Sequence, residues 1–256
     1  MKKIFVAILV TVSLLACEKN KLATKNEINP GDNARVKIGY FTAWRANLGV
    51  QLKVDTVRIS NLFNYAVAYP GGGFNTLGNN YADYLSVSSK PDTKITVSVP
   101  YLNTSTDSLV VFTGIFDLEE GKRQTLMLTD TVPNVVGTVV VDETPSPPAT
   151  KAKFKFFNGI PNVGVNLDIY AGTVKLASDI AYTKVSDYVE LTITPGASLT
   201  FAAVKTGLAP GGANTVASYP TTGMQNGRTY TILTRGFAGL VSPDPRRMMV
   251  SLVPTY

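Results

Sequence analysis

Histidine is absent from this 256-residue chain, and cysteine occurs once, at Cys17. The first absence removes histidine general bases, Ser-His-Asp triads and histidine ligation of zinc, copper or haem. A lone cysteine forms no intrachain disulfide and no thiolate metal cluster. Charged residues make up only 16%, and the net charge of +6 is scattered along the chain, which does not suit a nucleic-acid partner. Long apolar runs are also missing. The stretch from Ile4 to Ala16 covers thirteen residues, short of the about 20 that a membrane-spanning helix needs. Catalysis would have to rest on carboxylates, Tyr, Lys, Arg or Ser. The densest acidic cluster, Asp117, Glu119 and Glu120, crowds the tip of an expected hairpin before Gly121. It reads as a solvated turn, without the separation of a glycosidase pair or the alternating oxygens of a calcium loop. The composition therefore predicts a protein that is not an enzyme and holds no metal or cofactor.

The thirteen-residue stretch is preceded by Lys2 and Lys3 and followed by Leu14-Leu15-Ala16-Cys17. A basic start, an apolar centre and a small residue before the cut make a signal peptide over residues 1–16, and the final four residues resemble a bacterial lipobox. That resemblance implies cleavage before Cys17 and acyl chains on its thiol and new amino group. Two or three chains at about 0.8 kcal/mol per buried methylene hold a protein on a membrane essentially for good. The expected location is the outer membrane of a Gram-negative envelope. Glu18 is followed by Lys19 and Lys21 rather than by further acids, and both periplasmic and surface-facing orientations stay open. Residues 17–33 are polar, without apolar period, and read as a disordered tether.

What is present is β-forming and duplicated. Ala34-Arg35-Val36-Lys37-Ile38 is matched by Ala152-Lys153-Phe154-Lys155-Phe156, and both alternate apolar with basic residues as a half-buried strand does. Gly49 to Val54 matches Gly164 to Ile169, and Thr56 to Ile59 matches Thr173 to Leu176. Asp83-Tyr84 recurs as Asp187-Tyr188, each with a proline seven residues after the tyrosine (Pro91, Pro195). Gly121 to Leu126 matches Gly227 to Ile232. Order and spacing kept over several blocks mean an internal repeat. The copies span 34–142 and 152–256, and residues 143–151, rich in proline, form a semi-rigid linker. Each copy shows about seven short alternating segments between Gly, Pro, Asn and Asp turns, with no helical period. This predicts an all-β protein of two tandem immunoglobulin-like antiparallel β-sandwich domains, with a small closed barrel as the alternative.

Copy two carries Phe157-Asn158-Gly159-Ile160-Pro161, Asp168-Ile169-Tyr170, Leu176-Ala177-Ser178 and Val185-Ser186-Asp187-Tyr188. Over about residues 152–240 this pattern resembles the extracellular family known as domain of unknown function 4397. Copy one departs from it, with Phe41-Thr42-Ala43-Trp44 in place of the Asn-x-x-Pro turn and Val54-Asp55 in place of Asp-Ile-Tyr. The resemblance implies secreted or lipid-anchored β-sandwiches, often in tandem, and transfers no active site.

The recurring Asp-Tyr pairs and Asp168 are expected to serve the fold, the aspartate in a turn and the tyrosine packed in the sandwich with its hydroxyl at the edge. Trp44, the only tryptophan, reads as core. The copies differ in length at one point: Val57 to Asp83 is 26 positions, and Val174 to Asp187 is 13. Copy one thus holds a thirteen-residue insertion within 61–80, with Tyr65, Tyr69, Phe74 and Asn75, and Tyr81 just beyond. Aromatics beside Asn and Gly suit a glycan or protein ligand, and a long loop on a rigid scaffold is a common place to bind one. Tyr65, Tyr69, Phe74, Asn75 and Tyr81 are the candidate ligand-binding residues, expected to be dispensable for stability; the alternative is a loop folded onto its own domain. The function expected is display of binding or adhesion domains on a membrane anchor. The alternative is a spacer or accessory subunit of a surface complex.

Overall fold

In the computed structural model, which describes residues 33–65, 84–88, 90–142 and 144–255, the duplication reappears strand for strand. Copy one forms β1 (Asn33–Tyr40), β2 (Gln51–Val54), β3 (Val57–Arg58), β4 (Leu85–Ser88), β5 (Thr93–Pro100), β6 (Asp107–Phe116), β7 (Arg123–Thr129) and β8 (Val136–Val141). Copy two forms β9 (Ala152–Asn158), β10 (Leu167–Ala171), β11 (Val174–Ile180), β12 (Val189–Leu191), β13 (Leu199–Lys205), β14 (Thr215–Thr221), β15 (Thr229–Arg235) and β16 (Met249–Pro254). The sheets of copy one run β4-β1-β7-β8 and β3-β2-β5-β6; those of copy two run β12-β9-β15-β16 and β11-β10-β13-β14. The order is the same in both. The fold is all-β, as the alternating patterns predict, with eight strands per sandwich instead of seven. One pairing in each copy departs from the antiparallel expectation: β1 with β7, and β9 with β15, are parallel. Each sandwich closes on its own core, around Val36, Ile38, Leu52 and Leu126 in the first and Phe154, Phe156, Ile169 and Ile232 in the second.

The basic positions of β1 and β9 are where the structure parts from the simple alternation. A half-buried strand turns its charged residues to water, yet Lys37 is 3% and Lys155 2% exposed. The second face of each of these sheets is covered by the other copy. Phe41, Met127 and Val140 of copy one pack with Phe157, Leu233 and Val253 of copy two in one buried cluster. Met127 and Leu233, like Val140 and Val253, hold equivalent places in the repeat, so the two sheets meet about a pseudo-twofold relation. The large rings interleave: Phe41 corresponds to Gly159, and Phe157 to Gly39. A Cβ on Gly159 would stand 3.1 Å from Thr129 Cγ2 across the seam and 2.5 Å from the Thr234 carbonyl, so close approach excludes a side chain there.

One carboxylate sits between the two lysines. Asp142 Oδ1 accepts from Lys155 Nζ at 2.8 Å, and Oδ2 lies 4.0 Å from Lys37 Nζ. Oδ2 also accepts from the Tyr84 hydroxyl at 2.8 Å and from Thr125, and the Asp142 carbonyl accepts from the Tyr188 hydroxyl at 3.2 Å. Lys37 lies 4.6 Å from the ring centre of Tyr84, and Lys155 lies 5.2 Å from that of Tyr188. The duplicated tyrosines thus serve the join between sandwiches rather than the sandwich interior. Two ammoniums facing one carboxylate leave a surplus positive charge, which is met by the ring faces, by the Val141 carbonyl accepting from Lys155 at 2.7 Å and by the Tyr84 hydroxyl accepting from Lys37 at 3.3 Å. The symmetry breaks at the acid itself. The equivalent of Asp142 is Thr255, whose hydroxyl meets that of Thr231 at 3.1 Å.

The same contacts fix how the sandwiches stand. β1 starts, β8 ends and β9 starts at one pole, where Asp142 and the linker lie; this is the basal pole. At the opposite ends of the strands, the Thr129 and Tyr182 hydroxyls meet at 2.8 Å, and Arg235 lies 5.6 Å from the Phe41 ring centre. The two units therefore stand side by side with both distal ends pointing the same way.

Burial alone would raise the Asp142 carboxyl, but Lys37, Lys155 and the Thr125 hydroxyl outweigh it and hold it below the usual carboxylate range. Its unfolded counterpart binds a proton near pH 3.9 and the folded form only at lower pH. The stabilisation is therefore present above about pH 4 and is lost as pH falls through the folded value. Asp142→Asn leaves two buried ammoniums facing no anion and is expected to cost about 3–5 kcal/mol. Thermal unfolding from pH 7 to pH 2 checks both points, since the variant should begin lower and lose part of the wild-type slope below about pH 4.

Candidate functional site

All four connections between strand ends at the distal pole differ in length between the copies. These are the β1–β2 loop against β9–β10, β3–β4 against β11–β12, β5–β6 against β13–β14, and β7–β8 against β15–β16. Basal connections are short; β2–β3 and β10–β11 are matched in length, while β4–β5 and β6–β7 are three residues and one residue shorter than β12–β13 and β14–β15. Asp55 and Gly172 hold the left-handed position of one hairpin, and Gly121 and Gly227 that of another. The two largest length differences, β3–β4 against β11–β12 and β7–β8 against β15–β16, separate strands whose facing ends lie at the distal pole.

A groove of about 830 Å³ opens at that pole on copy one, lined by Gly49, Arg58, Leu62 and the loop from Pro100 to Thr106. Tyr101 is 58% and Leu102 88% exposed, and Leu48 and Leu62 are exposed nearby. This loop is rigidly built. The Tyr101 amide donates to the Thr106 carbonyl at 2.9 Å, and the Thr104 amide and hydroxyl both donate to the Tyr101 carbonyl, at 3.1 and 3.0 Å. Asn103 takes the left-handed conformation that such a tight turn needs. Beneath it, buried Gln51 donates to the Ser105 carbonyl at 2.9 Å and to Asp107 at 3.0 Å, while Lys53 pairs with Asp107 at 2.7 Å. An aromatic and an aliphatic side chain are thus presented to water on a loop whose polar groups are already engaged. Little ordering entropy is left to lose on contact with a ligand. Sequence reasoning passed over this loop; the available signal was an aromatic-aliphatic pair inside an Asn-Thr-Ser turn, which copy two lacks. Two smaller grooves, about 370 and 340 Å³, recur between edge strands β3 and β4 and between β11 and β12. Their repetition marks them as a consequence of the fold.

Of the ligand-binding residues expected from the sequence, Tyr69, Phe74, Asn75 and Tyr81 lie outside the described residues, as does Cys17. Tyr65 is described and is 1% exposed. Its ring packs in the first core, with the Arg235 guanidinium of copy two 5.2 Å from its centre. The expectation of an accessible, dispensable Tyr65 is corrected: the ring is enclosed between the sandwiches. Tyr65 and Tyr182 are 117 positions apart, as are Val57 and Val174, whereas Tyr84 and Tyr188 are 104 apart. Tyr65 is therefore a shared residue, and the insertion begins after it. Trp44 is half-buried against the first core, as expected. Asp117, Glu119 and Glu120 are exposed, and Asp117 caps the Asp92 amide at 3.0 Å. Asp168 accepts from Lys175, the Asp179 amide and Thr206 at 2.6, 2.9 and 2.9 Å, binding one hairpin to its neighbour. Among the described residues no cluster of three or more acids could hold a metal.

The Asn-Gly turn of copy two shapes that copy's own part of the distal face. Asn158 Oδ1 accepts from the Ile160 amide and the Thr234 hydroxyl, and its Nδ2 donates to the Ile180 carbonyl at 2.9 Å. Asn162 then exchanges two hydrogen bonds with Ala238, tying the β9–β10 loop to the β15–β16 loop. The latter loop carries Asp244, Arg246 and Arg247. Arg246 grips Asp244 through Nε at 3.0 Å and Nη2 at 2.6 Å, and these bonds hold the carboxyl down at about 2. Arg45, on the β1–β2 loop of copy one, adds its charge to the same carboxylate from across the seam.

No family model and no curated protein matches the chain. Among solved structures, the Bacillus anthracis TIE protein aligns with 80% of this chain and 34% of its own, at 10% identity and a TM-score of 0.21. The chain thus spans about a third of that protein. A Bacteroides uniformis protein provisionally assigned to cell adhesion aligns with 87% of this chain and 96% of its own, at 11% identity and a TM-score of 0.22. A counterpart from Bacteroides eggerthii, with the same provisional assignment, gives 88%, 96%, 10% and 0.23.

The buried position of Tyr65 makes a direct prediction. Tyr65→Ala removes a ring shared by both sandwiches and should destabilise by about 3–5 kcal/mol. Chemical denaturation checks it, and an unchanged midpoint would return Tyr65 to the list of expendable loop residues.

Proposed function

We propose that this chain is a non-catalytic, lipid-anchored protein of the cell envelope that binds a glycan or protein ligand through its distal face. The observation that carries the reading is the opposition of the poles. The polypeptide enters β1 at the basal pole, so a tether from Cys17 joins the body there, and the groove with Tyr101 and Leu102 opens at the other end. A body held by its base presents that face away from the membrane. The buried join between sandwiches supports the same reading, because it holds the described distal loops of both copies in one arrangement. The lack of histidine and of any thiol beyond Cys17 favours binding over turnover, and the tandem β-sandwiches of the family that copy two resembles fit an anchored display role.

Two experiments test the parts separately. Cys17→Ser should move the protein from the detergent-rich to the aqueous phase on Triton X-114 partition; retention in the detergent phase of both forms would remove the anchor. Tyr101→Ala/Leu102→Ala, at exposed positions, should leave the thermal midpoint within about 2 °C. Its binding to glycan arrays or to intact cells should fall about tenfold or more. Binding at wild-type strength by the double variant would rule out the groove.

A further inference from the structure

The seam between the sandwiches ends, at the distal pole, in a cluster of guanidiniums supplied by both copies. Arg45 is exposed on the β1–β2 loop, Arg246 and Arg247 are half-buried on the β15–β16 loop, and Arg235 lies buried beneath, against Phe41 and Tyr65. Asp244 is the acid that faces them, and both of its oxygens are already held by Arg246. Arg247 donates to the Asp244 main-chain carbonyl at 3.3 Å, and among the described residues neither it nor Arg45 has a carboxylate within ion-pair distance. Here the Tyr65 hydroxyl is buried and makes no hydrogen bond among the described residues, although Arg235, Asp244, Arg246 and Arg247 all act on it. That hydroxyl is enclosed, so the groups a ligand can reach at the seam are the guanidiniums above it.

Resting on the reading of the distal face as the binding face, we infer that this two-copy seam binds the acidic groups of an anionic glycan, with uronate-type carboxylates taken by Arg45 and Arg247. Guanidiniums match carboxylates in a two-pronged geometry that a single ammonium does not offer. The glycan class follows from what else the distal pole exposes. The groove on the same pole offers an exposed tyrosine face beside Asn103, Thr104, Ser105 and Thr106, a pairing of ring and hydroxyl groups suited to sugar rings. An extended acidic peptide would use the arginines and leave that surface idle. Neither copy alone supplies the seam, which gives the tandem arrangement a purpose beyond spacing.

The probe is a galacturonic acid hexamer, titrated calorimetrically into the full chain in detergent, with a neutral glucose hexamer and an octaglutamate peptide as comparisons. The uronate should bind, and its affinity should fall several-fold between about 50 and 300 mM salt. Arg45→Ala/Arg247→Ala should weaken it about tenfold or more while leaving the thermal midpoint in place; Arg45→Ala alone, at an exposed loop position, keeps the test available if the double variant unfolds. Uronate binding unchanged in these variants, or no uronate binding, overturns the inference. Octaglutamate binding as tightly as the uronate overturns the glycan class in favour of an acidic peptide. Loss of glycan binding in Tyr101→Ala/Leu102→Ala with silent arginine variants overturns the seam and leaves the groove standing.

Discussion

A single buried carboxylate, Asp142, is the point on which the arrangement of this molecule turns. It closes copy one, opens the linker, and faces a lysine from each sandwich. Without it, two ammoniums would be enclosed together, and enclosure of unpaired like charge opposes folding strongly. With it, the sheet faces that carry Lys37 and Lys155 can meet and bury Phe41, Met127, Phe157 and Leu233 between them. The apolar contact supplies the attraction, and the carboxylate makes that contact permissible. The parallel distal ends, the shared seam and the outward-facing groove all follow from this join.

Duplication separates what builds from what acts. Shared residues include the left-handed turn positions, the paired lysines, Tyr84 and Tyr188, and, from their spacing, Tyr65 and Tyr182. They serve the sandwich or the contact between sandwiches. The distal pole holds marked differences: copy one carries Tyr101 and Leu102 there, and copy two carries the long β15–β16 loop with its arginines. A fold element tolerates little change because each side chain has packed neighbours on several sides. A loop at the end of a sandwich has few, so it can diverge without loss of the frame.

Much of the frame was legible. The apolar positions of β1, β9, β7 and β15 gave their cores away by their period, and Gly121 and Gly227 marked their turns. The aspartates at 83 and 187 drew notice for recurring, yet it is the tyrosines beside them, with Asp142, that make the join. The second face of β1 was not legible, because an alternating Lys reads as solvated on any isolated strand. Burial of Lys37 depends on Asp142, which is 105 positions away in the chain. The candidate site was read in part for the same reason: the insertion showed by its length, and Tyr65 was grouped with it although it belongs to the core. Arg45 drew no notice because nothing local distinguishes it from a charge on any loop, and the aromatic-aliphatic pair at Tyr101 does not by itself show whether the two side chains are exposed.

Taken alone, the sequence determined the strand content, the duplication, the absence of histidine-based chemistry and the lipobox-like segment at Cys17, because each is a property of neighbouring residues or of repeated spacing. Only the tertiary structure decided which faces are buried, where the two copies touch, and which loops share a pole. Those depend on contacts between residues far apart in the chain. Two alternating β-sandwiches can stand end to end or side by side with the same local pattern, and the choice is made by one carboxylate and the interleaved rings of Phe41 and Phe157.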